Sequence, residues 1–86
     1  MLEKRVALIG IIIRNDASVD KMNLILHEYK EYIIGRMGLP YKKAGISLIS
    51  IALDAPNDII NALSGKIGRL DGVSAKTAYS DVVSEK

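Results

Sequence analysis

Arg36 stands between two glycines in the stretch Tyr32–Gly45, YIIGRMGLPYKKAG. Gly35 and Gly38 around a cation could form a backbone cradle for an anion, with Arg36 as the counter-charge. A phosphate loop, however, needs another spacing and a helix N-terminus directly after it. Glycines within a strand instead mark a bulge, a close backbone approach or a subunit contact. Arg36 then has two roles open to it: binding an anion, or pairing with a carboxylate across an interface. SGKIGR, residues 64–69, also lacks the full phosphate motif and falls at a helix end.

The remaining chemistry-bearing residues are sparse. His27 is the single histidine and there is no cysteine, so one chain holds neither a multi-histidine nor a thiolate metal site. His27 could be one ligand of a metal shared between subunits, or a charge favoured near a helix C-terminus. Ser18, Ser47, Ser50, Ser64 and Ser74 lack a nucleophile-elbow context, and His27 is the only imidazole base. Asp16 and Asp54 stand where strands pass into helices, as capping residues rather than an acid–base pair. The expectation is a chain that is not an enzyme and holds no metal or cofactor.

The elements that must position these residues follow from hydrophobic periodicity. Arg5–Arg14 is rich in β-branched residues and too short for a typical helix, so it reads as a strand. Asn15, Asp16 and Ser18 supply turn and cap chemistry. Val19, Met22, Leu26 and Tyr29 then form one helical stripe. Tyr32–Leu39 is a second strand, with Pro40 at its end or on an edge. Lys43, Ala44 and Gly45 form a hairpin turn, in which Gly45 takes a positive φ. Ile46–Leu53 is the third strand. Pro56 suits the first turn of a helix whose apolar side is Ile59, Ile60, Leu63 and Ile67, closed by Gly65 or Gly68. Asp71-Gly72 is a turn, Val73–Tyr79 the fourth strand, and SDVVSEK a frayed tail.

The order strand, helix, strand is therefore used twice, and the sequence repeats with it. DASVDKMN at 16–23 and DAPNDIIN at 54–61 share D-A-x-x-D-x-(M/I)-N. Each copy puts an acid, Asp20 or Asp58, in the first turn of a helix, where the dipole favours it. Two interlocked halves give an α+β, ferredoxin-like βαββαβ sandwich: a four-stranded antiparallel sheet with both helices on one face. The expected domain spans residues 1–86, with its core at about 5–79.

Such a sheet should alternate apolar and polar residues. The first strand does not: Val6, Leu8 and Ile12 share one face, while Ala7, Ile9, Ile11 and Ile13 share the other. The third strand repeats this, with Ile46, Leu48 and Ala52 against Ile49, Ile51 and Leu53. Helices can cover only one of these faces. The other predicts a homo-oligomer, a dimer or tetramer, joined through the sheet face.

Composition sets the outer limits. A chain of 86 residues makes one small domain, burying about 60–65% of its unfolded surface. With no Trp and no Phe the core must be aliphatic. Lys and Arg are spread along the chain with no basic run, and the net charge is only +2, so no direct nucleic-acid contact is expected. No apolar run spans a membrane and no signal-peptide pattern opens the chain, which makes the cytoplasm the expected compartment.

LIGIII, LHEYKEYIIGRMGLPY and GISLISIALDAPNDIINALSGKIGRLDGV together resemble the iron-only hydrogenase system regulator family. That family is also described as ACT-like and similar to the C-terminal domain of the nickel-responsive repressor. The likeness runs from about Val6 to Ala78 and is strongest at YIIGRMGLPY and LSGKIGRLDGV. It implies a ferredoxin-like regulatory domain that self-associates, with a small-molecule ligand or a protein partner as its candidate occupant. The other reading is an assembly or adaptor protein that binds no ligand. The nickel-responsive domain holds its metal through several histidines and a cysteine, which this chain lacks. Many amino-acid-binding ACT domains use a glycine in the first strand-to-helix loop, which here reads Arg14-Asn15-Asp16-Ala17-Ser18. The ligand or interface candidates are Arg14, Asn15, Asp16, Gly35, Arg36 and Gly38.

Overall fold

The computed structural model describes residues 3–85. Strand β1 (Lys4–Ile13) leads through a 3-10 turn at Asp16–Ser18 into helix α1 (Val19–Glu28). After a second such turn at Lys30–Tyr32 come β2 (Ile33–Tyr41), a third turn at Lys42–Ala44, and β3 (Ile46–Ala55). Helix α2 (Asn57–Gly68) and β4 (Val73–Glu85) complete the second half. The sheet order is β2-β3-β1-β4 and every pairing is antiparallel. This is the ferredoxin-like arrangement that the duplicated pattern predicts. Its two most apolar strands, β1 and β3, lie in the centre.

Directly paired residues share a face of an antiparallel sheet, so the register sorts every side chain. Arg36, Ile51, Ile9 and Thr77 form one row across the helix-covered face, and Gly38, Ile49, Ile11 and Ala75 the next. Ala7, Ile9, Ile11, Ile13, Ile51, Leu53 and Ala55 are buried there under Met22 and Leu26 of α1 and Ile60, Leu63 and Ile67 of α2. Both helical stripes thus point inward as their 3.6-residue spacing dictates. Asp20 and Asp58 fall in the first turns of α1 and α2. The two helices are also tied at their surface. Lys66 Nζ lies 5.0 Å from the Tyr29 ring centroid and 3.9 Å from Glu28 Oε2. The Tyr29 phenol, first by hydrogen bonding and then by charge, holds the Lys66 ammonium above its ordinary value of 10.5, with Glu28 adding to it.

Several local expectations are corrected. The tail is not frayed: β4 continues to Glu85, pairing Arg5 with Val83 and Lys4 with Glu85 across a register shift. Lys86 lies outside the described residues. The tail's order is borrowed from the start of β1, nearly eighty residues away, so no local pattern announces it. Asp54 is not a cap either. It ends a row of β3 and accepts a hydrogen bond from Ser84 Oγ at 2.5 Å. Pro56 stands just before α2 rather than in its first turn, and its carbonyl accepts from the Ile59 and Ile60 amides. Gly65 lies inside α2, which ends at Gly68. Pro40 is on the edge strand β2, where a missing N–H costs the sheet least.

Candidate functional site

The loop from β1 to α1 is built as a clasp. Asn15 Oδ1 accepts from the Ala17 amide at 3.0 Å, while its Nδ2 donates to Asp71 Oδ2 at 2.6 Å. Ser18 does not cap α1; its buried hydroxyl donates to the Asp71 carbonyl at 2.6 Å. The Arg14 amide donates to the Gly72 carbonyl at 2.7 Å, and Arg14 Nη2 to Ser74 Oγ at 3.3 Å. Gly72 makes this approach feasible. Its φ is +69°, and a Cβ there would stand 2.7 Å from Asn15 Cβ. Of the loop candidates, Asn15 thus spends both ends of its amide within the chain, Arg14 reaches along the open sheet face, and Asp16 is exposed at the start of the turn.

Gly35, Arg36 and Gly38 lie on β2, and strand alternation divides them. Gly35 shares the open face with Ala52 and Leu8. Nothing in the chain lies within 4 Å of a Cβ added at Gly35, and only Ile49 Cγ1, at 3.9 Å, approaches one at Gly38. Neither glycine is required by close packing within this chain. Arg36 points to the helix side, where its Nη1 donates to Asn23 Oδ1 of α1 at 3.2 Å. Strand alternation thus divides the GRMG residues between the two faces, although Gly35, Arg36 and Met37 together line a recess of about 270 Å3 with Ser50 and Ala52.

Larger recesses open on both sides of the sheet. On the helix side, Asn23, Leu26, His27, Lys30, Ile33 and Arg36 line a depression of about 290 Å3 between α1 and β2. Asn23 and Lys30 were not singled out from the sequence. Helical spacing signals only part of this: Asn23 and His27, at i and i+4, share one flank of α1, whereas Lys30 opens the 3-10 turn that follows the helix. On the open side, the row Met37, Ser50, Gly10, Lys76 has small residues at its centre. The adjacent row of Leu39, Leu48 and Ile12 is large and apolar. The resulting groove measures about 400 Å3 and is lined almost wholly by carbon. Leu8, Ile12, Met37, Leu39 and Tyr41 remain between 40% and 71% exposed on this face. Among the described residues, no group of three or more His, Asp or Glu side chains converges as metal ligands do, and no helix is long and apolar enough to cross a membrane.

With this geometry in place, comparison with known proteins separates family from fold. A family profile, TM1266-like, described as "Iron-only hydrogenase system regulator, putative", matches residues 5–77. The chain belongs to the TM1266-like family. The uncharacterized protein TM1266 from Thermotoga maritima is 35% identical to it, with a TM-score of 0.85 over 90% of this chain and 98% of that one. A formyltetrahydrofolate deformylase from Pseudomonas putida shares the fold at 13% identity and a TM-score of 0.65, covering 90% of this chain but 29% of the enzyme. The divalent ion tolerance protein CutA1 from Ehrlichia chaffeensis is similar at 18% identity and a TM-score of 0.50, over 92% of this chain and 84% of that one. At such identities the last two share architecture, which carries no activity with it. No match is found among proteins of curated function.

Proposed function

We propose that this TM1266-like chain is a non-enzymatic regulatory domain that works as a homo-oligomer, in its simplest form a symmetric dimer. The open sheet face of one copy lies on that of a second. The observation that carries this reading is the apolar surface of β1, β2 and β3 that neither helix covers.

The dimensions support it. A ten-residue strand such as β1 spans about 33 Å, and four strands span about 19 Å. Each face then spans roughly 600 Å2, and its apolar part, on β1, β2 and β3, is of the kind that monomers rarely leave exposed. Two such faces together remove about 1,200 Å2, above the ~1,000 Å2 of a specific interface. In such a dimer, large side chains of one copy enter the groove that Gly10 and Ser50 floor in the other.

The family description supports a role in regulating an iron-only hydrogenase system. On this reading, any effect on transcription passes through a partner protein. A small ligand or that partner acts by changing the assembly. Light scattering across a dilution series tests the reading. We expect a closed oligomer for the wild type and a folded monomer for Ile12→Lys. A wild-type monomer at every concentration overturns self-association, and puts an adaptor that offers this face to another protein in its place.

A further inference from the structure

The recess between α1 and β2 has a second use that does not depend on the open face. We infer that it binds a small oxyanion, a carboxylate- or phosphate-bearing molecule, through Arg36, Lys30 and Asn23.

The side chains that line the recess keep most of their hydrogen-bond donors unspent within the chain. Asn23 Oδ1 is occupied by Arg36 Nη1, which leaves the Asn23 amide nitrogen as its free end. A guanidinium carries five N–H donors in a planar fork, and a single bond to the rest of the chain uses one of Arg36's. The Lys30 ammonium offers three more donors, and an imidazole such as His27 always has at least one ring N–H to give. Acceptors are fewer: the second lone pair of Asn23 Oδ1 and, when His27 is neutral, one ring nitrogen. Leu26 and Ile33 complete the wall with carbon. A recess whose free polar ends are mostly donors selects a ligand rich in acceptors.

The charges are also uncompensated. Among the described residues, no carboxylate lies within ion-pair distance of His27, Lys30 or Arg36. Glu28 is turned away towards α2, where it meets Lys66. Glu31 is exposed and does not line the recess.

Basic residues at the end of a helix have another explanation, since the negative end of the helix dipole favours them. That accounts for His27 and Lys30. It does not account for Arg36, which comes from a different element and bonds Asn23 in the middle of α1, away from its terminal carbonyls. A fork held by an amide rather than a carboxylate is oriented while keeping its full charge. This is the preorganisation that bidentate recognition of an oxyanion needs. At about 290 Å3 the recess stands at the small end of ligand clefts, which start near 300 Å3. It suits a compact metabolite rather than a nucleotide.

Nitrogen–proton correlation spectra of the full chain test this with two probes, inorganic phosphate and succinate, each against sodium chloride at equal ionic strength. We expect one or both probes to shift the Asn23, Lys30 and Arg36 signals saturably, while chloride leaves them in place. The tighter probe then distinguishes a phosphoryl from a carboxylate ligand. Arg36→Gln keeps an exposed edge-strand position polar, and should weaken binding by roughly tenfold to a hundredfold, the loss of a charge-assisted hydrogen bond. The inference is overturned if neither probe exceeds chloride, or if Arg36→Gln binds as tightly as the wild type. Because every lining residue comes from one chain, either result stands apart from the fate of the dimer.

Discussion

Replacing Gly72 by alanine should cost this fold far more than replacing Gly45, although the two glycines have nearly the same backbone. Their φ values are +69° and +67°. An L-residue in that left-handed region costs about 1–2 kcal/mol, which both variants incur. At Gly45 nothing lies within 4 Å of the new Cβ. Part of its strain is offset because alanine also narrows the unfolded ensemble, by about 0.4–1 kcal/mol. The net cost of Gly45→Ala is therefore about 1 kcal/mol. At Gly72 the Cβ meets Asn15 Cβ at 2.7 Å and the Asn15 backbone nitrogen at 3.1 Å. Asn15 cannot move aside freely, because it holds Asp71 through Nδ2, the Ala17 amide through Oδ1 and the Ser18 amide through its carbonyl. Weakening that set loses about 0.5–1.5 kcal/mol for a neutral bond and 1.5–3 kcal/mol for the one to a carboxylate. Gly72→Ala should then cost about 3–4 kcal/mol in total. Urea unfolding of both variants at one protein concentration measures the difference. We expect Gly72→Ala to be the less stable by about 2 kcal/mol or more, with an unchanged m-value. Equal midpoints for the two variants would refute the claim that Gly72 exists to admit Asn15.

Other outcomes follow from the same contacts. Leu63 is fully buried, so Leu63→Ala should lower unfolding free energy by about 2–5 kcal/mol in urea titrations. Removing residues 80–86 takes away the Arg5–Val83 pairing and the Ser84–Asp54 bond; a loss of about 1–2 kcal/mol, or roughly 5–15 °C in Tm, is expected by calorimetry. No change would mean that the tail is frayed after all. Tyr29→Phe should lower the Lys66 pKa towards 10.5 in a carbon-detected NMR titration, since the phenol is the main cause of its elevation. The sign follows from linkage. A lysine raised in the folded state contributes stability that is fully present below 10.5 and is lost as pH rises through the folded value.

The architecture was legible from the sequence because it rests on local periodicity. Short runs rich in β-branched Ile and Val, 3.6-residue stripes through Met22, Leu26, Leu63 and Ile67, and turn glycines at 45 and 72 each act over a few residues. The duplicated D-A-x-x-D pattern ordered them into two halves. The excess of apolar residues on both faces of β1 and β3 was equally visible, since alternation assigns faces without knowing the partner strands. The boundaries were less legible. Pro56, Gly65 and Asp54 carry propensities that suit a helix start, a helix stop and a cap. Their neighbours in space gave each another place.

Residues 80–85 show the limit most plainly. Their order comes from pairing with Lys4 and Arg5, a contact that closes almost the whole chain and leaves no mark in the tail itself. The recess was hidden for the same reason. Alternation shows that Arg36 and its flanking Gly35 face opposite sides, but it does not say what each side meets. Only the packing of α1 over β2 brings Asn23, thirteen positions earlier, against the guanidinium. Asn15 and Asp71, 56 positions apart, meet by the same kind of closure. Periodicity is written in neighbouring residues, so the chain alone determined its strands, its helices and the face it leaves bare. A site made of side chains from different elements depends on how those elements dock, and the tertiary structure alone decided that.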